Sequence, residues 1–362
     1  MKKTWKWLLG VLLISTLMVA GLTTGCTTQK TDAKAADATE TIMFTDSAGR
    51  IVEIPKNIER IAPVGSLGQQ MLMSVAPEKM VGLCTKISDS QSKYLGNDYA
   101  SLSVFGQFYG TADLNMEALA AADPQVLIDI GEGKSTIVED MDGIQEQLGI
   151  PVIFIKATME TTDDAFKTLG EVLDEEEKGN QLAEYCAGVY KTITDKMATI
   201  PEDKRVSFAY LQGDTGLYVI GKGSIHADNM DRLGNNLAVL ENVTSKGTGD
   251  VISEEQLTQW NPEVIIFGPN SIYSTVSQNP VFSTMAAIQN NRYYEVPSSP
   301  YNWMGMPPSV NRFMGIQWMA NLLYPEVFKY DMYKVTKEYY DLFYDYDLSE
   351  TEFKELTKNA IK

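Results

Sequence analysis

Apolar positions recur along the chain in two alternating periods, and the segments that carry them set out an ordered series of strands and helices. Ile42 to Ile54 alternates apolar and polar around Ser47-Ala48-Gly49, which predicts a β-hairpin ended by Pro55. A strand at Arg60-Ile61-Ala62, a helix from Gln69 to Val75 and a strand from Met80 to Leu83 make a β-α-β unit. Leu114 to Ile130 predicts a short helix running into the buried strand Val126 to Ile130, and Pro151 to Ile155 adds another strand. From Glu175 to Met197 the spacing changes. Leu182, Cys186, Val189, Tyr190, Ile193 and Met197 recur at intervals of three and four and form one helical stripe. Asp174 is the expected cap, with Glu177 reaching back to it, and Pro201 ends the segment, giving a rod of about 35 Å. Beyond it strands are expected at Val206 to Tyr210, Leu217 to Ile220 and Val264 to Phe267. Helices are expected at His226 to Leu233 and Glu254 to Trp260.

Two of these segments match almost position for position. LNMEALAAADPQVLIDI and ISEEQLTQWNPEVIIFG each carry a glutamate early in a helix, a proline just before a strand and a buried aliphatic run. One unit repeated on either side of a long helix predicts an α/β protein of two Rossmann-like lobes joined by that helix, with a cleft between them. The expected boundaries are 41–160 for the first lobe, 161–200 for the interlobe helical segment, 201–325 for the second lobe and 326–362 for a helical tail. In the tail Tyr333, Tyr340, Phe343 and Tyr344 suit an amphipathic helix packed on the body.

The start of the chain adds its location. Lys2, Lys3 and Lys6 precede an apolar run from Trp7 to Leu22 and then Thr23-Thr24-Gly25-Cys26, the pattern of a secretory leader over 1–25. Cys26 after Gly25 resembles the lipobox of bacterial lipoproteins, with Thr23 where leucine is usual. That implies a lipid anchor on Cys26, a flexible tether over 26–40 and a protein held at the outer face of the bacterial cell membrane. The leader holds three lysines and no acid, so the net charge of −18 becomes −21 without it, which argues against nucleic-acid binding. Cys84 and Cys186 read as buried thiols.

The order PKNIERIAPVGS, MLMSVAPEKMVGL, ALAAADPQVLIDIG, EEKGNQLAEYCAGVYKTI and LTQWNPEVIIFGP resembles the substrate-binding lipoproteins of the ABC importers for iron complexes and vitamin B12. The resemblance covers Ile42 to about Tyr324. It implies a monomer with no catalytic residue and no cofactor, which delivers a ligand to a permease and its ATPase. The ligand expected first is a ferric siderophore or another iron complex; haem, cobalamin and a molybdate or tungstate oxyanion stay open, as does an exported α/β enzyme of a different class. In the resembling family one glutamate on each lobe docks on permease arginines, and the matching positions are Glu117 and Glu255.

Candidate chemistry concentrates in SSPYNWMGMPPSVNR, residues 298–312. Tyr301, Trp303 and Met304 supply flat and polarizable surface, and Arg312 falls near the start of a helix that Ser309 is expected to cap. Ser66, Gln107 and Tyr109 lie on loops of the first lobe, where backbone N–H groups at a helix start suit an anion. His226 is the single histidine, so a catalytic triad or a histidine-rich metal site would lean on it alone; it stands as a candidate ligand contact.

Overall fold

The structure, a computed structural model, describes residues 40–95, 99–109 and 113–362. The expected leader, Cys26 and the tether up to residue 39 lie outside the described residues. Thr39–Lys362 forms one compact unit.

The chain enters through the antiparallel hairpin β1 (Thr41–Thr45) and β2 (Ile51–Pro55), then β3 (Ile61–Pro63), α1 (Ser66–Val75), β4 (Gly82–Leu83), α2 (Asp89–Ser92) and β5 (Ser103–Val104). It continues through α3 (Met116–Ala121), β6 (Val126–Gly131), α4 (Ile137–Leu148) and β7 (Val152–Lys156). The first sheet runs β3-β6-β7, all parallel. Side chains along β6 alternate in destination: Val126, Ile128 and Ile130 face the large central core, while Leu127 joins Ile137, Met141 and Ile144 of α4 on the other face. A parallel sheet covered on both faces needs such a continuous apolar strand.

Two helices follow, α5 (Thr162–Val172) and α6 (Glu176–Met197), the latter about 33 Å long. The helix is unbroken across the expected span, and its buried residues include Leu182, Cys186, Val189, Ile193 and Met197. Its start differs from expectation. Glu175 is the N-cap and makes no side-chain bond, while Asp174 sits in the left-handed region at φ 54° as the turn residue between the helices. The tight return from α5 imposes that conformation, with Glu175 N–H donating to Gly170 O at 2.8 Å, so Asp174 serves the turn instead of the cap. The pairing of α5 with α6 rests on Gly170 and Gly179: a Cβ at Gly179 would stand 2.7 Å from Phe166 O and 2.9 Å from Gly170 Cα.

The second half comprises β8 (Ser207–Gln212), β9 (Tyr218–Val219), α7 (Asp228–Asp231), β10 (Asn235–Asn236), β11 (Asp250–Val251), α8 (Glu254–Trp260), β12 (Val264–Phe267), α9 (Ala286–Gln289) and β13 (Tyr293–Glu295). Its sheet runs β11-β9-β8-β12-β13, with β10 paired to β8, and β8, β12 and β13 are parallel. After it come α10 (Asn311–Leu323), α11 (Pro325–Phe328), α12 (Met332–Tyr344) and α13 (Glu350–Leu356). Val264 and Ile266 enter the same central core as Ile128 and Ile130, so the inner faces of the two sheets share one apolar interior with α6, α10 and α12. The tail is part of that interior: Tyr339, Tyr340 and Phe343 are buried, and Tyr94 packs edge-on against Tyr340 and Tyr346. Cys84 and Cys186 are free and buried.

The internal repeat is carried by the same backbone devices in each copy. Asn115 caps α3 and Ser253 caps α8, each accepting from the N–H three residues on. Asp123 and Asn261 both turn left-handed, at φ 51° and 41°, immediately before a proline. Two residues further, Gln125 accepts from Arg60 N–H at the head of β3, and Glu263 accepts from Ser207 N–H at the head of β8. Each lobe therefore aims its central strand, β6 or β12, in the same way.

Candidate functional site

At the carboxyl ends of the first sheet's strands a crevice opens toward the loop before α10, the position where open α/β sheets bind ligands. Leu67 and Met71 of α1, Ile130 and Gly131 of β6, and Ala157 and Thr162 form one wall; Pro308, Ser309, Val310 and Arg312 form the other. It is narrow, leaving about 10 Å³, at the threshold for a single water. A direct bond draws the walls together, Ser309 Oγ donating to Leu67 O at 2.9 Å, and outside the crevice lining Arg232 Nη2 pairs with Glu160 across the lobes. Ser309 thus spans the crevice instead of capping α10, whose N-cap is Val310 without a side-chain bond.

The first wall offers the N-terminus of α1. Its N-cap is Gly65, extended and without a side chain, so the first-turn N–H groups at Ser66, Leu67 and Gly68 have neither helical acceptors nor a cap. The helix packs on β6 at Gly68, where an added Cβ would stand in van der Waals contact with Ile130, at 3.4 Å. Ser66 is the first residue of this helix and offers its backbone N–H there. Asp129 lies beneath this start, its Oδ1 3.3 Å from where a Gly65 Cβ would be, and burial pushes its carboxyl up to about 6 against the pull of Lys134.

The second wall offers Arg312. The preceding loop is shaped by two buried asparagines: Asn302 accepts from Met304 N–H at 2.8 Å, and Asn311 donates to Pro307 O at 3.0 Å while accepting from Ser309 N–H at 3.0 Å. Gly305, at φ 89°, lies under the arginine, where a Cβ would come within 2.9 Å of Arg312 Cγ. The side chain is 3% exposed, and its Nε and Nη1 have no hydrogen-bond partner. Burial lowers its pKa and the neighbouring Asp228 and Glu132 oppose that shift; the group remains a cation. Buried donors of this kind are paired in most folded proteins, so two of them on one side chain at a crevice mark a place for an acceptor.

The other expected contacts divide. Gln107 is half-buried with its Oε1 unpartnered. Tyr109 spends its hydroxyl on Asp140, and Lys134 Nζ sits 3.1 Å above its ring; burial, then Asp140, raises its pKa. His226, at the start of a short 3-10 turn, is held by Gly305 O at 3.2 Å from Nδ1 and by the Ser245 backbone; burial lowers its pKa despite both carbonyls. It braces two loops of the second lobe. Tyr301 is buried and bonds Met73 Sδ at 3.5 Å, outside the crevice lining. Trp303 and Met304 are sealed in the core: Trp303 meets Trp318 edge-on at 6.4 Å and its carbonyl abuts Gly315, where a Cβ would stand only 1.9 Å away. Loop composition marks them as surface, whereas the glycine in α10 that admits them decides their burial. Glu117 and Glu255 are both exposed, each the second residue of its helix.

Sequence reasoning missed the charges that frame Arg312. Asp228 Oδ2 lies 3.7 Å from Arg312 Nη1, its Oδ1 2.8 Å from Arg232 Nη2, and Arg232 Nη1 reaches Tyr190 of α6 at 3.4 Å. Asp228 and Arg232 share one segment distant in sequence from Arg312 and Tyr190, and each alone reads as an exposed helical polar residue. The one local signal was the (i, i+4) spacing of Asp228 and Arg232.

Comparison with known proteins gives the family and the fold. A family model described as periplasmic binding protein matches residues 76–300. The Fe(3+)-citrate-binding protein YfmC of Bacillus subtilis is 23% identical over 217 residues, 58% of this chain and 65% of that protein, so the match spans a little under two thirds of the relative's length. An ABC transporter solute binding protein from Sulfurospirillum deleyianum superposes with a TM-score of 0.80 at 28% identity, covering 87% of this chain and 99% of the other. A periplasmic solute binding protein from Veillonella parvula gives 0.72 at 25% identity, covering 88% and 97%. A molybdate-bound periplasmic binding protein of Haemophilus influenzae, at 19% identity, TM-score 0.66 and coverage of 85% and 99%, shares the fold.

Proposed function

Since this chain belongs to the periplasmic binding protein family, as an ABC-transporter solute-binding protein and not an enzyme, we propose that its solute is an anionic metal complex, a ferric complex of the citrate or siderophore type. The observation that carries this reading is Arg312, a buried cation with two unpaired N–H donors at a crevice whose opposite wall is the uncapped start of α1. Both walls present donors, which suit the carboxylate or phenolate oxygens of a chelator that arrives with its iron already bound. The iron-citrate relative supports the same class. Within it, Ser66 through its backbone, Gln107 and Arg312 are the contacts.

The narrowness of the crevice favours a second reading, a compact oxyanion of the molybdate or tungstate type held by the same donors. Absorption spectra and elemental analysis of protein purified from its native host separate the two. Iron with a charge-transfer band supports the first; molybdenum or tungsten in colourless protein replaces it with the second. A Soret band would overturn both in favour of haem.

Export with a lipid on Cys26 belongs to the same reading, as does docking on the permease through Glu117 and Glu255. Their equivalent placement at the heads of α3 and α8 supports a pair of contacts related by the repeat. Mass spectrometry of the mature N-terminus tests the anchor: a diacylated or triacylated Cys26 is expected, and an unmodified terminus would exclude it.

A further inference from the structure

Taking the crevice as the solute site, we propose that Asp228 is an internal competitor for the solute's anionic oxygen, and that it sets the affinity of Arg312 for anions. Asp228 divides its carboxylate between two arginines. Oδ1 is bonded to Arg232 Nη2 at 2.8 Å, whereas Oδ2 stands 3.7 Å from Arg312 Nη1, within Coulomb attraction but beyond hydrogen-bond length. Arg232 holds it there. The same Nη2 reaches across to Glu160 of the first lobe, and Nη1 bonds Tyr190 of α6, so Arg232 is tied to three segments and cannot follow Asp228 toward Arg312.

Arg312 is consequently neutralised at a distance and left with unmet donors. A solute oxygen that approaches to ordinary bonding length would satisfy Nε and Nη1, which Asp228 does not, but it must enter against the charge Asp228 already places there. Glu132 and Glu160 also act on Arg312; both are more exposed than Asp228 and more strongly screened by water. Asp228 is therefore a positioning residue whose loss of charge should strengthen anion binding, the reverse of what removing a solute contact would do.

The test uses the full chain with ferric citrate and, separately, molybdate as probes, read by tryptophan fluorescence. Asp228→Asn, which keeps the acceptor for Arg232, is expected to bind an accepted probe about tenfold more tightly than the parent protein. The gain should vanish in the double variant with Arg312→Met. Unchanged or weaker binding by Asp228→Asn would overturn the proposal.

A second arm needs no solute. Asp228→Gly opens a space beside both arginines, and formate is expected to raise its melting temperature more than that of the parent or of Asp228→Gly/Arg312→Met. Equal response in all three would overturn the proposal. Should no probe bind the parent or Asp228→Asn, ferric citrate and molybdate are removed as solutes, and the formate response alone decides the role of Asp228.

Discussion

Gly179 and Gly188 lie on the same helix, and the same substitution at each should move stability in opposite directions. At Gly188 the added methyl meets nothing within 4 Å, so Gly188→Ala returns the helix-propensity difference, about 0.5–1 kcal/mol of added stability. At Gly179 it would lie 2.7 Å from Phe166 O, 2.9 Å from Gly170 Cα and 3.2 Å from Gly170 N. All three are backbone atoms of α5, so no side chain can swing aside. The helices must separate by roughly half an ångström, and overpacking of that kind costs about 1–3 kcal/mol beyond the propensity gain. The expected gap between the two variants is therefore about 1.5–4 kcal/mol, read as urea midpoints at unchanged slope. If Gly179→Ala is as stable as Gly188→Ala, then α5 and α6 do not pack backbone to backbone, and the rigid joint between the lobes is misassigned.

Asp129→Asn should stabilise the protein at pH 7.5. The folded carboxyl is raised to about 6 by burial, above its unfolded value of 3.8, so its ionisation penalty is absent below pH 3.8 and grows as pH rises through 6. The gain in melting temperature on substitution, corresponding to about 3 kcal/mol at most, should shrink steadily below pH 6; a gain independent of pH would rule out the carboxyl as its source. Asn311→Ala removes the side chain that pins the loop at Pro307 and Ser309, and should cost about 2–4 kcal/mol in urea unfolding together with solute affinity. Loss of stability with full affinity would show that the loop does not position Arg312. Glu117→Lys and Glu255→Lys should each abolish uptake in cells while the purified proteins bind solute normally; weakened binding would place these residues in the site and not at the permease.

Local pattern foretold the elements whose own periodicity and end signals are strong. The hairpin Ile42 to Ile54, helix Glu254 to Trp260 and strand Val264 to Phe267 stand where the periodicity put them, and the repeat extends to paired left-handed residues. What local pattern missed depends on distant backbone. Asp174 reads as a cap until α5 is known to turn back at Gly170, and Trp303 reads as a binding aromatic until Gly315 is seen to admit it into the core. Arg312 was legible because it closes the aromatic and methionine-rich stretch 298–312 near the start of a helix. Its counter-charges were not, since Asp228 is distant in sequence and Glu132 and Glu160 belong to the other lobe, so each approaches it only in the folded chain.

Titration of the parent protein and of Arg312→Met with ferric citrate bears most directly on the claim that the crevice holds an anionic metal complex. Removing the charged partner of a buried anion costs about 2–5 kcal/mol, a loss of roughly 30-fold to several thousandfold in affinity. Saturable binding by the parent with that loss in the variant is the predicted result. Equal binding by the two would place the solute elsewhere, and no binding by either would remove ferric citrate as the solute.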